Sequence, residues 1–388
     1  MWLTGRAGGP ALGCFSGVTA VMVRAAHTLG ELTRRAGRAV VLDGPALLGE
    51  RAALSGLTRR GEQSCGRSSR LLRSADGWIA ISLVRTADVD LLPAWLGVAA
   101  SADPWPAVAS AVSTRAGAEV VQSGAELGLA VARLAERRDD RAAVVAIPLG
   151  EAAPAPLGTR QRVVDLSALW AGPLAGQLLA AAGMDVVKVE STRRPDGARQ
   201  GPAAFNDLLN ADKASVALDF TTREGVGELR RLLLSADVVI EASRPRALEQ
   251  LGVDAAEILA TGSTRVWLSI TGHGRTEPHR HRVGFGDDAA VAGGLVAQDS
   301  RGAVFCADAV ADPATGLLGA TAVIERLTRG GRWLLDAALA RTAALMATGQ
   351  TVEWEGDVSP PRARSVAGKA APLGRDTRRV LATLGGRS

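Results

Sequence analysis

Residues 163–190 read VVDLSALWAGPLAGQLLAAAGMDVVKVE, and this run decides the fold. It opens with a β-rich stretch at 163–166 and crosses a turn of small residues at Ala171, Gly172 and Pro173. A helical pattern follows at 176–182, then a second β-rich stretch at 186–189 that ends at Glu190. A strand, a helix and a strand at this spacing form a βαβ unit whose strands run parallel. The alternation continues with strands over 216–218, 238–241 and 265–270, and helices over 223–234, behind Thr221 and Thr222, and over 254–259. The expected fold class is therefore α/β: a doubly wound, largely parallel, Rossmann-like sheet forming a large domain over 161–349.

Upstream, residues 148–160 read PLGEAAPAPLGTR, a proline- and glycine-rich stretch with little to bury, expected to be a linker. Before it, residues 57–147 have a different texture. Residues 74–83 (SADGWIAISL) predict a hairpin strand entered through the Asp76-Gly77 turn, and residues 114–135 carry amphipathic helix patterns. These features predict a smaller α+β domain. Residues 32–56 echo residues 327–349, with Asp43 set against Asp336, so residues 1–56 read as a partial core-like segment, the remnant of a duplicated copy. Residues 350–388 form a C-terminal tail.

The 388 residues are 47% hydrophobic and 22% charged, which excludes a wholly disordered chain. The net charge is +5, and lysine occurs only at 188, 213 and 369, so the basic excess is almost all arginine. No short basic run is interleaved with aromatics, which argues against nucleic acid as a partner. Cys14, Cys65 and Cys306 are far apart and form no CxxC pair, a pattern that predicts neither a disulfide framework nor a cysteine-based zinc site and fits a reducing cytoplasm. No stretch approaches the roughly 20 apolar residues of a membrane span. His273, His279 and His281 lie within one Gly- and Arg-rich loop with no cysteine nearby, so no metal is expected there.

The turn at 171–173 lets a ligand phosphate approach helix amides, and Glu190 closes the next strand where an acid can hold a ribose. Yet residues 171–176 are not GxGxxG, and Pro173 lacks the amide that a dinucleotide needs. A nucleotide-dependent oxidoreductase is thereby disfavoured.

Five stretches in order, residues 163–190, 209–225 (LNADKASVALDFTTREG), 236–245 (ADVVIEASRP), 268–274 (LSITGHG) and 311–320 (ADPATGLLGA), together resemble the family III CoA-transferases, also called the CaiB/BaiF family. Residues 371–385 resemble the family's usual chain end. The family places its small domain after the region matching residues 334–349, whereas here the stretch resembling it precedes the linker. The resemblance implies a CoA-transferase that moves CoA from an acyl-CoA thioester to a carboxylic acid through an aspartyl mixed anhydride and an enzyme-CoA thioester. It assigns the nucleophile to Asp312. It assigns CoA contacts to Ala171, Gly172, Pro173, Lys188, Glu190, Asn210, Lys213, Arg244 and Phe285, with Arg193, Arg194 and Arg199 near the 3′-phosphate. Coenzyme A enters as a substrate and no metal is implied. The implied assembly is a homodimer, of the interlocked kind the family forms.

Three positions depart from the family pattern. Trp170 stands where some members carry a helpful Gln, Ser191 where some carry an Arg, and Gly286 where the acid of a G-(Y/H)-D motif is usual, the acid slipping to Asp287. Phe285 replaces the His of the family's racemase branch and removes one proton carrier, which ranks transfer above racemisation. The alternatives are an acyl-CoA racemase or CoA-dependent lyase on the same fold, and a catalytically degenerate CoA-binding protein. Apart from the resemblance, an Asp before Pro at a helix start is also the pattern of an N-cap.

Overall fold

The structure is a computed structural model that describes residues 2–140, 142–155, 161–349, 357–366 and 368–386. Residues 156–160 of the expected linker and 350–356 of the expected tail lie outside the described residues.

The N-terminal segment holds α1 (Ser16–Arg35) and α2 (Glu50–Ser55). Next comes a three-stranded antiparallel sheet of β1 (Ser69–Ser74), β2 (Gly77–Ser82) and β3 (Ala130–Arg133). Between β2 and β3 lie α3 (Thr86–Asp90), α4 (Leu92–Leu96), α5 (Trp105–Ser113) and α6 (Gly117–Glu126). Ile79, Ile81, Leu92, Val108, Val120 and Val131 close the core of this unit. The β1–β2 hairpin pairs Ser74 with Gly77, so its two-residue turn is Ala75-Asp76. The helix expected over 114–135 stops at Glu126, because Gly128 takes a left-handed φ of 76° that ends the helix. The following AVAR run then pairs with β2 as β3.

The large sheet has the order β4-β12-β9-β8-β5-β6-β7. Its strands are β4 (Val144–Gly150), β5 (Arg162–Asp165), β6 (Asp185–Ser191), β7 (Ala214–Leu218), β8 (Val238–Glu241), β9 (Val266–Thr271) and β12 (Arg332–Ala338). All neighbours are parallel except β4, which is antiparallel to β12. Val144–Gly150 is therefore an edge strand of the large sheet, where the sequence placed the end of the small domain and the start of the linker. Its β-branched run fills the edge left beside β12, and Pro148 is tolerated because an edge strand has donors it need not supply.

Val163, Val238 and Ile240 enter one core, whereas Val164 and Val239 enter the other. A strand buried on both faces reads as a continuous apolar run because successive side chains point to opposite faces. The first core lies under α7 (Ala171–Ala181) and α13 (Ala311–Arg329), which also meet α1, and under α14 (Leu339–Met346). The second lies under α9 (Arg223–Ser235) and α11 (Ala255–Thr261). The connections α8 (Ala203–Asn210), α10 (Pro245–Glu249), α12 (Gly286–Ala292) and the hairpin β10 (Val296–Asp299) and β11 (Gly302–Phe305) complete this domain. Phe305 and Val296 pack with Leu71 and Ala80 of the small sheet.

The chain winds outward from β5 through β6 to β7, then returns to the other side of β5 as β8. The carboxyl ends of β5 and β8 thus flank a topological switch point, where open α/β sheets bind ligands. In the tail, α15 (Thr377–Ala382) lies by β7. Asp376 exchanges two bonds with Ser215, N–H to Oδ2 at 2.9 Å and N–H to O at 2.8 Å, which covers the β7 edge.

The echo is not kept in local structure, and the cysteine expectation changes. Residues 38–43, set against β12 by the echo, form no strand. Their donors turn to Thr33 instead, with Val40 N–H bonded to its Oγ1 at 2.9 Å, and Asp43 is exposed where Asp336 is buried. Cys14 and Cys306, 292 residues apart, are joined in a disulfide, while Cys65 is a buried free thiol. Sequence spacing hid this pair because only packing of the N-terminal segment on the turn before α13 brings the two together. No helix among the described residues is long and apolar enough to cross a membrane.

Candidate active site

The turn 306–310 leads into α13 in a tight, unusual path. Ala307 and Ala309 hold φ values of 58° and 42°, a left-handed region that costs a non-glycine residue of order 1 kcal/mol or more and gathers at functional sites. The path is fixed from outside. Ala307 N–H donates to Thr4 Oγ1 at 3.1 Å, and Ala309 N–H donates to Asp287 Oδ1 at 3.0 Å. Asp308, between them, points inward and is buried.

Asp312 is the second residue of α13, and Val310 is the N-cap residue. Asp312 is therefore not an N-cap. Its half-buried carboxylate accepts no hydrogen bond among the described residues and is available to a ligand. Gly286, at the start of α12, lies directly against it. A Cβ at 286 would stand 2.2 Å from Asp312 Oδ2 and 2.7 Å from Ala309 O, so only a bare backbone fits.

Four aspartates gather here: Asp287 and Asp288 from α12, Asp308 and Asp312. Burial pushes the Asp312 carboxyl up to about 7, with Arg51 holding it down and Asp287, Asp288 and Asp308 adding to the rise. Burial likewise pushes Asp288 up to about 7, although Ser82 Oγ and Phe285 N–H donate to its Oδ1 at 2.8 Å and 3.0 Å. Asp287 is raised by burial and by Asp308.

Arg51 of α2 answers this charge. Its Nε and Nη2 donate to the two oxygens of Asp308 at 2.8 Å and 2.5 Å, and its guanidinium lies 5.1 Å from the centre of the Trp170 ring. Trp170 is buried and meets Phe205 edge to face at 5.3 Å. The helix carrying Arg51 is pinned on its other side, where buried Glu50 takes a two-oxygen grip from Arg364, which also donates to Gln177 of α7. Sequence reading missed Arg51 and Asp308. Their 257-residue separation leaves no local signal, although the repeated Ala-Asp of residues 307–312 is visible in the chain.

Ala171, Gly172 and Pro173 form the buried first turn of α7, beside Trp170. Gly316 of α13 packs on this turn so closely that a Cβ there would meet Ala171 O at 2.5 Å, which brings the α7 start within one helical turn of Asp312. Phe285 immediately precedes α12. These residues and Asp312 are brought together.

Lys188, Glu190 and Lys213 are placed differently. Lys213 Nζ, buried, contacts Asp165 Oδ2 and Pro173 O, both at 2.8 Å, and burial pushes its pKa down to about 8. Lys188 Nζ, also buried, contacts Asp196 Oδ2 and Ser167 O, both at 2.8 Å. The two ammonium groups thus brace the β5–α7 turn from within. Glu190 is gripped by Arg199 through both oxygens. Asn210 is buried and donates to Asn206, and its Oδ1 lacks a partner among the described residues.

Arg244 follows β8 at the switch point and is half-buried. Burial lowers its pKa, and Arg246, Arg85 and Arg194 lower it further. Among the described residues no acid pairs with Arg194, Arg244 or Arg246, whereas Arg193 pairs with Asp219. This arginine group is an unanswered positive charge of the kind that suits phosphates. His273 is buried, His279 is half-buried and His281 is exposed. Among the described residues no three His, Cys, Asp or Glu side chains are arranged so that they could hold a metal ion.

Residues 160–375 match the model of CoA-transferase family III. The chain is 35% identical over 141 residues to a succinyl-CoA–D-citramalate CoA-transferase of Chloroflexus aurantiacus, covering 34% of this chain and 35% of the relative. It is 31% identical over 222 residues to a succinate–glutarate CoA-transferase of Agrobacterium fabrum, covering 52% and 55%. A crystal structure of a CAIB/BAIF family protein from Brucella suis aligns with a TM-score of 0.46 at 31% identity, over 54% of this chain and 62% of that one. The chain thus spans about a third to just over half of the length of these curated relatives. The family match covers more than half of the 388 residues and takes in β5, the α7 turn, Arg244, α12 and the Asp312 helix, and the chain belongs to CoA-transferase family III.

Proposed function

We propose that the protein transfers CoA from an acyl-CoA thioester to a carboxylic acid, with Asp312 as the nucleophile. The observation that carries this reading is the unbonded, half-buried Asp312 carboxylate at the amino end of α13, facing the bare backbone of Gly286. A carboxylate nucleophile splits one difficult exchange into easier ones.

In the first step an Asp312 oxygen attacks the thioester carbonyl carbon. The C–S bond breaks, CoA leaves as thiolate, and an acyl-aspartyl mixed anhydride remains. The thiolate then attacks the Asp312 carbonyl carbon, the donor acid leaves as carboxylate, and Asp312 carries CoA as a thioester. The acceptor carboxylate attacks this thioester and releases the thiolate, which takes the acceptor acyl group from the new anhydride and frees Asp312. Each tetrahedral oxyanion needs nearby donors, and the amides at the start of α12 beside Gly286 are suited to that task.

The residues present fit CoA. The unpaired arginines near Arg244 suit its phosphates, and the α7 turn is braced by Lys188 and Lys213 from below, so these lysines act by holding the turn. The reading carries with it the family's homodimer and a cytoplasmic setting. The test is incubation with a panel of acyl-CoAs, succinyl-CoA included, because the relatives above are named for succinyl and succinate transfer. Trapping with hydroxylamine or borohydride and mass spectrometry should find the modification on Asp312 and lose it in Asp312→Ala. Exchange of the α-proton without trapping would favour racemisation, and CoA binding with neither would overturn both enzymatic readings.

A further inference from the structure

The N-terminal segment reads from sequence as a remnant, yet it walls the site. We propose that Arg51 is a positioning residue for Asp312: locked to Asp308 and laid on Trp170, it sets a positive charge beside four aspartates and favours the attacking, ionised form of the Asp312 carboxylate. The proposal rests on Asp312 being the nucleophile.

The geometry specifies the role. The fork of Arg51 is spent on Asp308, so the guanidinium is fixed in place and acts on Asp312 through the field rather than by a bond. The face of Trp170 blocks a second side of the guanidinium, and planar stacking with bidentate pairing is what an arginine does and a lysine does less well. Four charged groups act on Asp312. Asp287 and Asp288 come from α12, Asp308 from the turn before α13, and Arg51 from α2. Cys65, whose thiol is raised by burial and then by Asp308 and Asp287, stands behind that turn and bonds Ala307 O. The residues of α7, which packs against α13, include no titratable side chain. With three aspartates adding negative charge around the fourth, Arg51 opposes protonation of Asp312.

The test reads Asp312 directly in the free protein. Aspartate labelled with 13C at the side-chain carboxyl is titrated by NMR, with the Asp312 signal assigned by its loss in Asp312→Asn. Arg51→Gln should move the Asp312 titration up by about one pH unit or more. Arg51→Lys, which keeps the charge, should restore most of that shift. A titration in Arg51→Gln that coincides with the unaltered protein overturns the proposal, as does a Lys variant that shifts as far as Gln. If Arg51→Gln fails to fold, Arg51→Met, neutral and of similar reach, decides in its place, and an unchanged titration there is fatal. Trapping by acyl-CoA is scored separately on the unaltered protein. Absence of an Asp312 adduct there sinks the nucleophile reading even where the titration shifts appear.

Discussion

Gly286 and Asp312 stand so close that a single methyl group at 286 would lie 2.2 Å from the Asp312 carboxylate. The backbone of one residue forms the wall against which the side chain of the other is held. A side chain at 286 and the Asp312 carboxylate as placed cannot occupy the same space.

Gly286→Ala follows directly from this relationship. Gly286 needs no left-handed backbone, so the effect is steric and local. Overpacking of this kind costs about 1–3 kcal/mol. We expect a folded protein with a modestly lower urea midpoint and a rate of Asp312 adduct formation reduced by about 100-fold, since a displacement of 1 Å in the reacting geometry costs that much. A rate within threefold of the unaltered protein would show that the contact does not constrain the carboxylate.

The pH dependence of turnover has a definite sign. Burial pushes the Asp312 carboxyl up to about 7, and the attacking form is the carboxylate. Activity should therefore rise with pH through about 7 and level off above it, falling about tenfold per pH unit on the acid side. Measuring kcat/KM for an acyl-CoA between pH 5 and 9 reads the group in the free enzyme. A flat profile down to pH 5 would mean that Asp312 titrates as an ordinary carboxylate.

Lys213→Met should leave the buried Asp165 without its direct ionic partner, which lies at 2.8 Å. Breaking a buried pair on one side costs about 3–5 kcal/mol. Equilibrium urea unfolding should report a loss of that size, and the double variant Asp165→Asn with Lys213→Met should cost less than the two single losses combined. A loss below 1 kcal/mol would place Lys213 outside the scaffold of the α7 turn.

Arg244→Gln tests the phosphate reading. Removing one charge-assisted contact is worth about 1.5–3 kcal/mol, or roughly 10- to 100-fold in KM at 1.4 kcal/mol per decade. KM for acyl-CoA should rise by that amount with kcat nearly unchanged, while an acyl-pantetheine lacking the nucleotide should be indifferent to the change. Equal losses on both substrates would move Arg244 from phosphate binding to the chemistry of the acyl end.

The parts of the fold that were legible share a physical basis. The strands at 163–166, 186–189 and 238–241 are visible because burial on both faces demands unbroken apolar runs, and Val163, Val164, Val238 and Val239 supply them. The run at 144–150 misled because Pro148 and Gly150 resemble linker residues, although an edge strand tolerates both. In the site, Asp312 was reachable through its motif, and Lys188, Lys213 and Glu190 were identified as charged residues at strand ends and in a loop. Their partners were not. Whether a lysine meets a phosphate or a buried aspartate depends on what folds around it, and Asp165, Asp196 and Arg199 do so here.

By itself the sequence determined the βα alternation, the place of the first turn and the helix that carries Asp312, because these follow from apolar periodicity and residue type within a few turns of chain. Tertiary structure alone decided that Arg51 meets Asp308 across 257 residues, that Cys14 meets Cys306 across 292, and that four aspartates are gathered closely enough to act on one another. Those are contacts between distant segments, and burial, field and charge pairing act on distance in space, of which linear order keeps no record.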